Sequence, residues 1–172
     1  MKINLTWQKT IIVLLLAIFN CEEKPEKISD HTNDSKFVAV YNYDNEQDLI
    51  QYNTLDLDQS HPNVLNPQIS KADYDSVTKS WTALHQNIGA YLAKRDFNWD
   101  VEDETIMIVQ KIYFEPNGSI KHFFFKILNP NVAFHKKEQF GRLISTFSKS
   151  NGINFQLDNR FAQCGKTQYS NL

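Results

Sequence analysis

The sequence predicts an α+β domain: a small, mostly antiparallel sheet built on one β-hairpin, with two helices on one of its faces. Three observations predict it. Thr105 to Leu128 (TIMIVQKIYFEPNGSIKHFFFKIL) sets two runs of ten residues, dense in Ile, Val, Phe and Tyr, around Glu115-Pro116-Asn117-Gly118. Pro presets φ for a first turn position, and Asn and Gly tolerate the positive φ that a tight reversal needs. Apolar residues at helical spacing precede this hairpin and follow it, and a last apolar run returns after the second helix. From residue 70 onward the predicted order is therefore α-β-β-α-β, with helices packed on a small sheet.

In chain order, Phe37–Tyr43 (FVAVYNY) reads as a short strand. Asp44 to Gln68 is irregular and rich in Asp, Asn, Gln and Pro, with scattered apolar anchors and a short helix around Asn45–Tyr52. Ser70-Lys71-Ala72-Asp73 has the capping-box layout, a hydroxyl followed three residues later by a carboxylate. Val77, Trp81, Leu84, Ile88, Tyr91 and Leu92 then recur at three or four residues, predicting a helix from about Lys71 to Arg95. Lys94 and Arg95 complement the dipole of its last turn. Asp96–Glu104 is an acidic loop. Phe140, Leu143, Ile144 and Phe147 form the stripe of a second helix, about Lys136–Ser150, ended by Asn151-Gly152. Ile153, Phe155 and Leu157 alternate as a short strand would, and Arg160–Tyr169 is the final strand.

A three-residue loop at Pro116, Asn117 and Gly118 sets Glu115 opposite Ser119, so that cross-strand partners have numbers totalling 234. One face then carries Ile106, Ile108, Gln110, Ile112, Phe114, Ile120, His122, Phe124, Lys126 and Leu128, and is expected under Trp81, Leu84 and Phe140. The other carries Met107, Val109, Lys111, Tyr113, Lys121, Phe123, Phe125 and Ile127. It is too apolar to stay bare, so either Phe37–Tyr43 with the wrap that follows it, or a partner, must cover it.

The 172 residues accommodate one domain with appendages, and the 13% aromatic content, including twelve Phe, supplies a sizeable core. Net charge is −2, and no basic patch follows one element, which argues against nucleic acid as a partner. Lys2 and Lys9 precede an apolar run, Thr10–Phe19, that is shorter than the ~20 residues of a comfortable membrane span. This is the layout of a secretory signal. Cys21 ends the run and is followed by Glu22-Glu23-Lys24-Pro25.

That arrangement resembles the lipobox of bacterial lipoproteins, with Ile18 at the usual place and Phe19 and Asn20 where small residues are customary. The resemblance implies a signal peptide over 1–20 and lipidation of Cys21 by acyl chains such as palmitate. More than one chain gives firm attachment, since each buried CH₂ contributes ~0.8 kcal/mol. An uncleaved anchor or a plain signal peptide is the other reading. Glu22 and Glu23 resemble the acidic surface-export signals of Bacteroidota lipoproteins; an acidic linker is the alternative. The implied location is the outer membrane, on its periplasmic or cell-surface face. Residues 21–36 contain one large apolar residue, Ile28, and read as a tether. The mature chain carries 16 basic and 20 acidic residues and keeps one thiol besides the lipidated one, Cys164, so no internal disulfide supports the fold.

Residues 37–172 form the domain, with 37–69 as strand and wrap. Residues 70–170, through their α-β-β-α-β order and hairpin turn, resemble the C-terminal domain of TonB and its relatives. The membrane helix and Pro-rich span of an energy-transducing TonB protein are missing, so the resemblance implies architecture alone. The whole chain is also similar to small Bacteroidota lipoproteins that end like Ala162-Gln163-Cys164-Gly165-Lys166; that similarity implies no activity.

No zinc-protease, CxxC, nucleophile-elbow or phosphate-loop motif is present. The five His are dispersed: His85 reads as a boundary residue, and His122 as a sheet histidine or a catalytic base. The acidic loop lacks calcium-loop spacing, so neither metal nor cofactor is expected. Cys164 reads as a packed thiol, or as a nucleophile with His122 as its base. Trp99 either stacks on a ligand or folds onto the core, and Phe123, Phe125 and Tyr113 lie on the face that a partner would cover. The leading expectation is a membrane-anchored, non-enzymatic domain that binds or scaffolds another envelope protein through an open sheet edge. A hydrolase using Cys164 or acidic-loop carboxylates, and a carrier with a closed apolar cavity, are the alternatives.

Overall fold

The computed structural model describes residues 37–65 and 74–171. The expectations for the signal peptide, Cys21, the tether and the Ser70–Asp73 capping box lie outside those residues. The elements run β1 (Ala39–Asn42), α1 (Glu46–Thr54), a 3-10 turn (Leu57–Gln59), α2 (Tyr74–Ala93), β2 (Thr105–Phe114), β3 (Ile120–Ile127), α3 (Phe134–Ser148) and β4 (Phe161–Ser170). From α2 onward this is the expected α-β-β-α-β order, and the fold is α+β. The sheet is ordered β1-β3-β2-β4, with β2 antiparallel to both neighbours and β1 parallel to β3.

The helices form where their sequences prescribe. Asn45 caps α1, its side-chain oxygen accepting from the N–H groups of Gln47 and Asp48. On α2, Val77, Leu84, Ile88 and Leu92 are buried; on α3, Phe140, Ile144 and Phe147 are. Both stripes cover one sheet face, where rings dominate: Phe125 meets Phe140 edge-on at 5.0 Å, and Phe114 stacks on Phe161 at 5.0 Å. Among the described residues, side chains from both helices and the sheet pack into one continuous core.

The hairpin register departs from expectation by one residue. The turn is as predicted, with Glu115 N–H donating to Ser119 O at 2.9 Å and Phe114 opposite Ile120. Lys121 is then an extra residue, and from Tyr113↔His122 to Ile108↔Ile127 the partner numbers total 235. A one-residue slip sends every following side chain to the other face. Phe123, Phe125 and Ile127 therefore join Ile106, Ile108, Ile112 and Phe114 beneath α2 and α3, while His122, Phe124 and Lys126 lie on the opposite face. The bulge exchanges a histidine and an ammonium group, both costly to bury, for two phenylalanines and an isoleucine.

The second face is covered in part by the chain itself, by the wrap expected to follow Phe37–Tyr43 but not by that strand. Phe37–Tyr43 does not lie over the sheet; its core, β1, extends the sheet beside β3. The cover comes from residues 45–61. Tyr52 stacks on Phe124 at 4.2 Å, and Leu57 packs against Tyr113 and Ala162. Ile153, Phe155 and Leu157 make no strand. They cross the hairpin turn, with Ile153 N–H donating to Gly118 O and Leu157 N–H to Pro116 O.

Candidate functional site

Most side chains singled out from the sequence have structural duties. Trp99 is 1% exposed, edge-on to Phe97 at 4.8 Å and 5.1 Å from Phe140, so it folds onto the core. Phe123 and Phe125 are fully buried by the register shift. Tyr113 is buried under the 45–61 wrap: its hydroxyl donates to Asp58 Oδ1 at 2.8 Å and lies 2.6 Å from the Tyr52 hydroxyl. Burial, aided by those two bonds, pushes the Tyr113 phenol up. The hydrogen bonds of Lys111 and Tyr113 to Asp58 outweigh burial and pull that carboxyl down. These groups pin the wrap to the sheet.

Cys164 is exposed, not packed. It lies opposite Lys111, whereas His122 lies opposite Tyr113 from the far side of β2. Two strand spacings and a two-residue offset put them ~11 Å apart, well beyond the reach of a base on its thiol. His122 is instead 3.2 Å from the Tyr41 hydroxyl, and burial holds its pKa at about 4. In the acidic loop, Lys136 binds Asp100 at 3.0 Å and Asn98 O at 2.9 Å, fastening the loop to α3. A shallow hollow beside it, lined by Asn98, Asp100 and Glu102, is open to solvent. Among the described residues no three His, Cys, Asp or Glu side chains converge on a metal position.

The two edges of the sheet are unequal. At β1, the outward N–H of Asn42 donates to Asp48 Oδ2 at 2.9 Å and the outward carbonyl of Val38 accepts from Ser145, so side chains hold that short edge at both ends and leave only the Val40 peptide groups between them without a partner among the described residues. β4 is longer and barer. Leu128 N–H donates to Met107 O, and Glu115 N–H to Ser119 O, so odd-numbered β2 residues face β3 and even-numbered ones bond β4. The register then points the N–H and C=O of Ala162, Cys164, Lys166, Gln168 and Ser170 away from the sheet. Ala162 spends its pair on Pro62 O and Val64 N, both at 2.9 Å, and Cys164 O accepts from the Gln163 amide. Among the described residues, the outward groups of Lys166, Gln168 and Ser170 and the Cys164 N–H meet no partner.

A groove runs beside this edge. Trp81, His85 and Gly89, spaced at four residues on α2, face β4 across a space of about 450 Å³. It continues past Ala93 to Phe97 and Trp99, where a further 250 Å³ shares Gly89, Tyr169 and Ser170 as lining. Trp81 forms one wall by lying across Gly165, where an added Cβ would meet its ring at 3.0 Å. His85 is buried behind the groove, its Nδ1 hydrogen-bonded with the Tyr169 hydroxyl at 2.7 Å and the Gln110 amide 3.2 Å away. Gly89 has no such constraint. A Cβ there would touch only Tyr169 Cδ1, at an ordinary 3.7 Å. A glycine inside a helix is ~1 kcal/mol less favourable than alanine, and nothing in the packing demands it here.

Sequence reasoning missed this site because it is made of main-chain groups and a space. The signals available were Gly89 within a helical run and polar residues alternating along Lys166–Ser170.

The buried imidazole has a measurable consequence. Burial holds His85 at a pKa of about 4, below its usual 6.5. An unfolded chain protonates this side chain first as pH falls, so its contribution is complete above pH 6.5 and is lost on the way to pH 4. The loss is expected to approach about 3 kcal/mol, at ~1.4 kcal/mol per pKa unit. Urea midpoints at pH 7 and pH 4 check it: His85→Leu should show a visibly smaller difference between the two pH values than the native chain.

Comparison with protein-family models, with curated proteins and with solved structures gives no match for the chain.

Proposed function

We propose that this chain is a membrane-anchored lipoprotein of the cell envelope. Its domain binds an extended segment of another envelope protein along β4, without catalysis. The carrying observation is the outward backbone of Lys166–Ser170 beside the α2 groove, which together with the Cys164 N–H meets no partner among the described residues. An extended segment laid there gains main-chain hydrogen bonds from β4, and its alternate side chains enter the groove. Lys166 is the one charge on that stretch, a light guard for an open edge. Attachment through Cys21, and placement at the outer membrane facing the periplasm or the exterior, rest on the resemblance of residues 1–25 to a lipoprotein signal. The resemblance to TonB C-terminal domains rests on element order and the hairpin turn, and bears on architecture alone.

The experiment uses whole cells carrying the full chain with a photo-crosslinking amino acid at position 168. Crosslinks are expected to concentrate in one extended segment of one envelope protein. Gln168→Pro removes an outward N–H while leaving the bonds to β2, so it should abolish the crosslinked product from a probe at position 170 with little change in thermal stability. Cys21→Ala should release the chain from membranes. Unchanged crosslinking in Gln168→Pro would refute the edge as the binding site, and a Cys21→Ala chain that still partitions with membranes would refute the lipid anchor.

A further inference from the structure

We infer that the space over Gly89 is a side-chain subsite, which takes one bulky apolar residue of the segment bound along β4. This rests on the edge-binding reading above and specifies the chemistry of its ligand. Three observations lead to it. A strand added beside β4 directs alternate side chains toward α2, at a repeat of ~6.6 Å, close to the ~6 Å between helix positions four apart. One such side chain therefore comes to rest over each of Trp81, His85 and Gly89. At the first two, the helix presents its own rings to that space. At Gly89 it does not, although a Cβ would meet only an ordinary contact with Tyr169.

Thr82, Gln86 and Thr167 make the groove polar on the Trp81 side, whereas its end beyond Gly89 is walled mostly by apolar groups. Tyr169 and Trp99 are buried rings, Leu92 and Ala93 follow on the helix, and the His85 imidazole beside it is held neutral by burial. A charged side chain would be desolvated there without a partner, whereas an aromatic or leucine side chain would bury its surface. The opposite face of the same edge differs. Lys166 and Gln168 are exposed there, and Lys166 makes no ion pair among the described residues. Carboxylates on the alternate positions of the bound segment meet that charge. The occupant is thus an extended peptide alternating acidic residues with apolar ones, its largest apolar side chain seated on Gly89.

The test uses synthetic heptapeptides with Glu on alternate positions and a central residue of Phe, Leu, Ala or Lys on the opposite face. They are titrated against the full chain in detergent by fluorescence anisotropy. The Phe and Leu peptides are expected to bind at least ten times more tightly than the Ala and Lys peptides. Gly89→Leu should erase that preference by filling the space with its own side chain, while raising thermal stability as a better helix former. Gln168→Pro should weaken every peptide alike. Equal binding of all four peptides to the native chain, lost in Gln168→Pro, would overturn the subsite and leave the edge reading standing. Binding insensitive to Gln168→Pro, or no binding by any peptide at millimolar concentration, would overturn both.

Discussion

Phe125→Ala is expected to lower the unfolding free energy by about 3–5 kcal/mol, and Phe124→Ala by less than half as much. The contrast tests the bulge at Lys121. Phe125 is fully buried, edge-on to Phe140 and within 3.5 Å of the position where a Cβ on Gly141 would stand. Removing its ring opens a cavity between β3 and α3 that neither element can close without shifting. Phe124 is half-buried, sandwiched between Tyr52 at 4.2 Å and the edge of Tyr43 at 6.1 Å. Its loss would loosen the α1 wrap, which can settle onto the vacated surface. Guanidinium denaturation of the two variants at pH 7 decides the matter. The reverse order of effects would restore the unbulged register and place Phe124 under the helices.

That register marks where the sequence stopped being legible. Local signals read well: the Asn117-Gly118 turn and the stripe on α3 each depend on residues within a few positions of one another. The bulge does not. Phe123-Phe124-Phe125 is equally apolar at either parity, so alternation cannot choose a face for it. His122 and Lys126 could have chosen, since both are expensive to bury, but the turn geometry argued for the other register. The parallel placement of β1 was invisible for a similar reason, because its partner lies some 80 residues away. Trp99 was ambiguous because an aromatic in an acidic loop is compatible with solvent; Phe97 two residues before it is the neighbour that draws it inward.

The candidate site was less legible than the fold, and the physical reason is general. A catalytic constellation announces itself through rare residue types at fixed spacing. An edge strand is read through peptide groups that every residue possesses, and whether they are satisfied depends on the neighbouring strands. The sheet order supplies that information. β1, where the described chain enters the sheet, is held at its ends by Asp48 and Ser145, while β4 lies at the far edge, three strand spacings or ~14 Å across. A partner strand on β4 would thus extend the sheet away from β1.

Gly118→Val is expected to destabilise the domain by about 4 kcal/mol and to lower its Tm by more than about 12 °C. Gly118 sits at φ +81°, a conformation that a β-branched residue adopts only under strain. The space is closed as well. A Cβ would stand 2.4 Å from Ile153 O and 2.6 Å from Phe155 O, both main-chain atoms that cannot swing aside. Relief requires residues 152–157 to lift off the turn, breaking the bonds from Ile153 N–H to Gly118 O and from Leu157 N–H to Pro116 O. Gly89→Ala is the matched control, since that glycine has a negative φ and open space, and it should leave Tm unchanged or raise it. Hydrogen exchange gives the local readout: the Ile153 and Leu157 amides should lose protection in Gly118→Val while the β2–β4 amides keep theirs. A loss of stability below 1 kcal/mol would mean that the segment after α3 does not cross the hairpin turn, and with it would go the account of how β4 is delivered to the edge of the sheet.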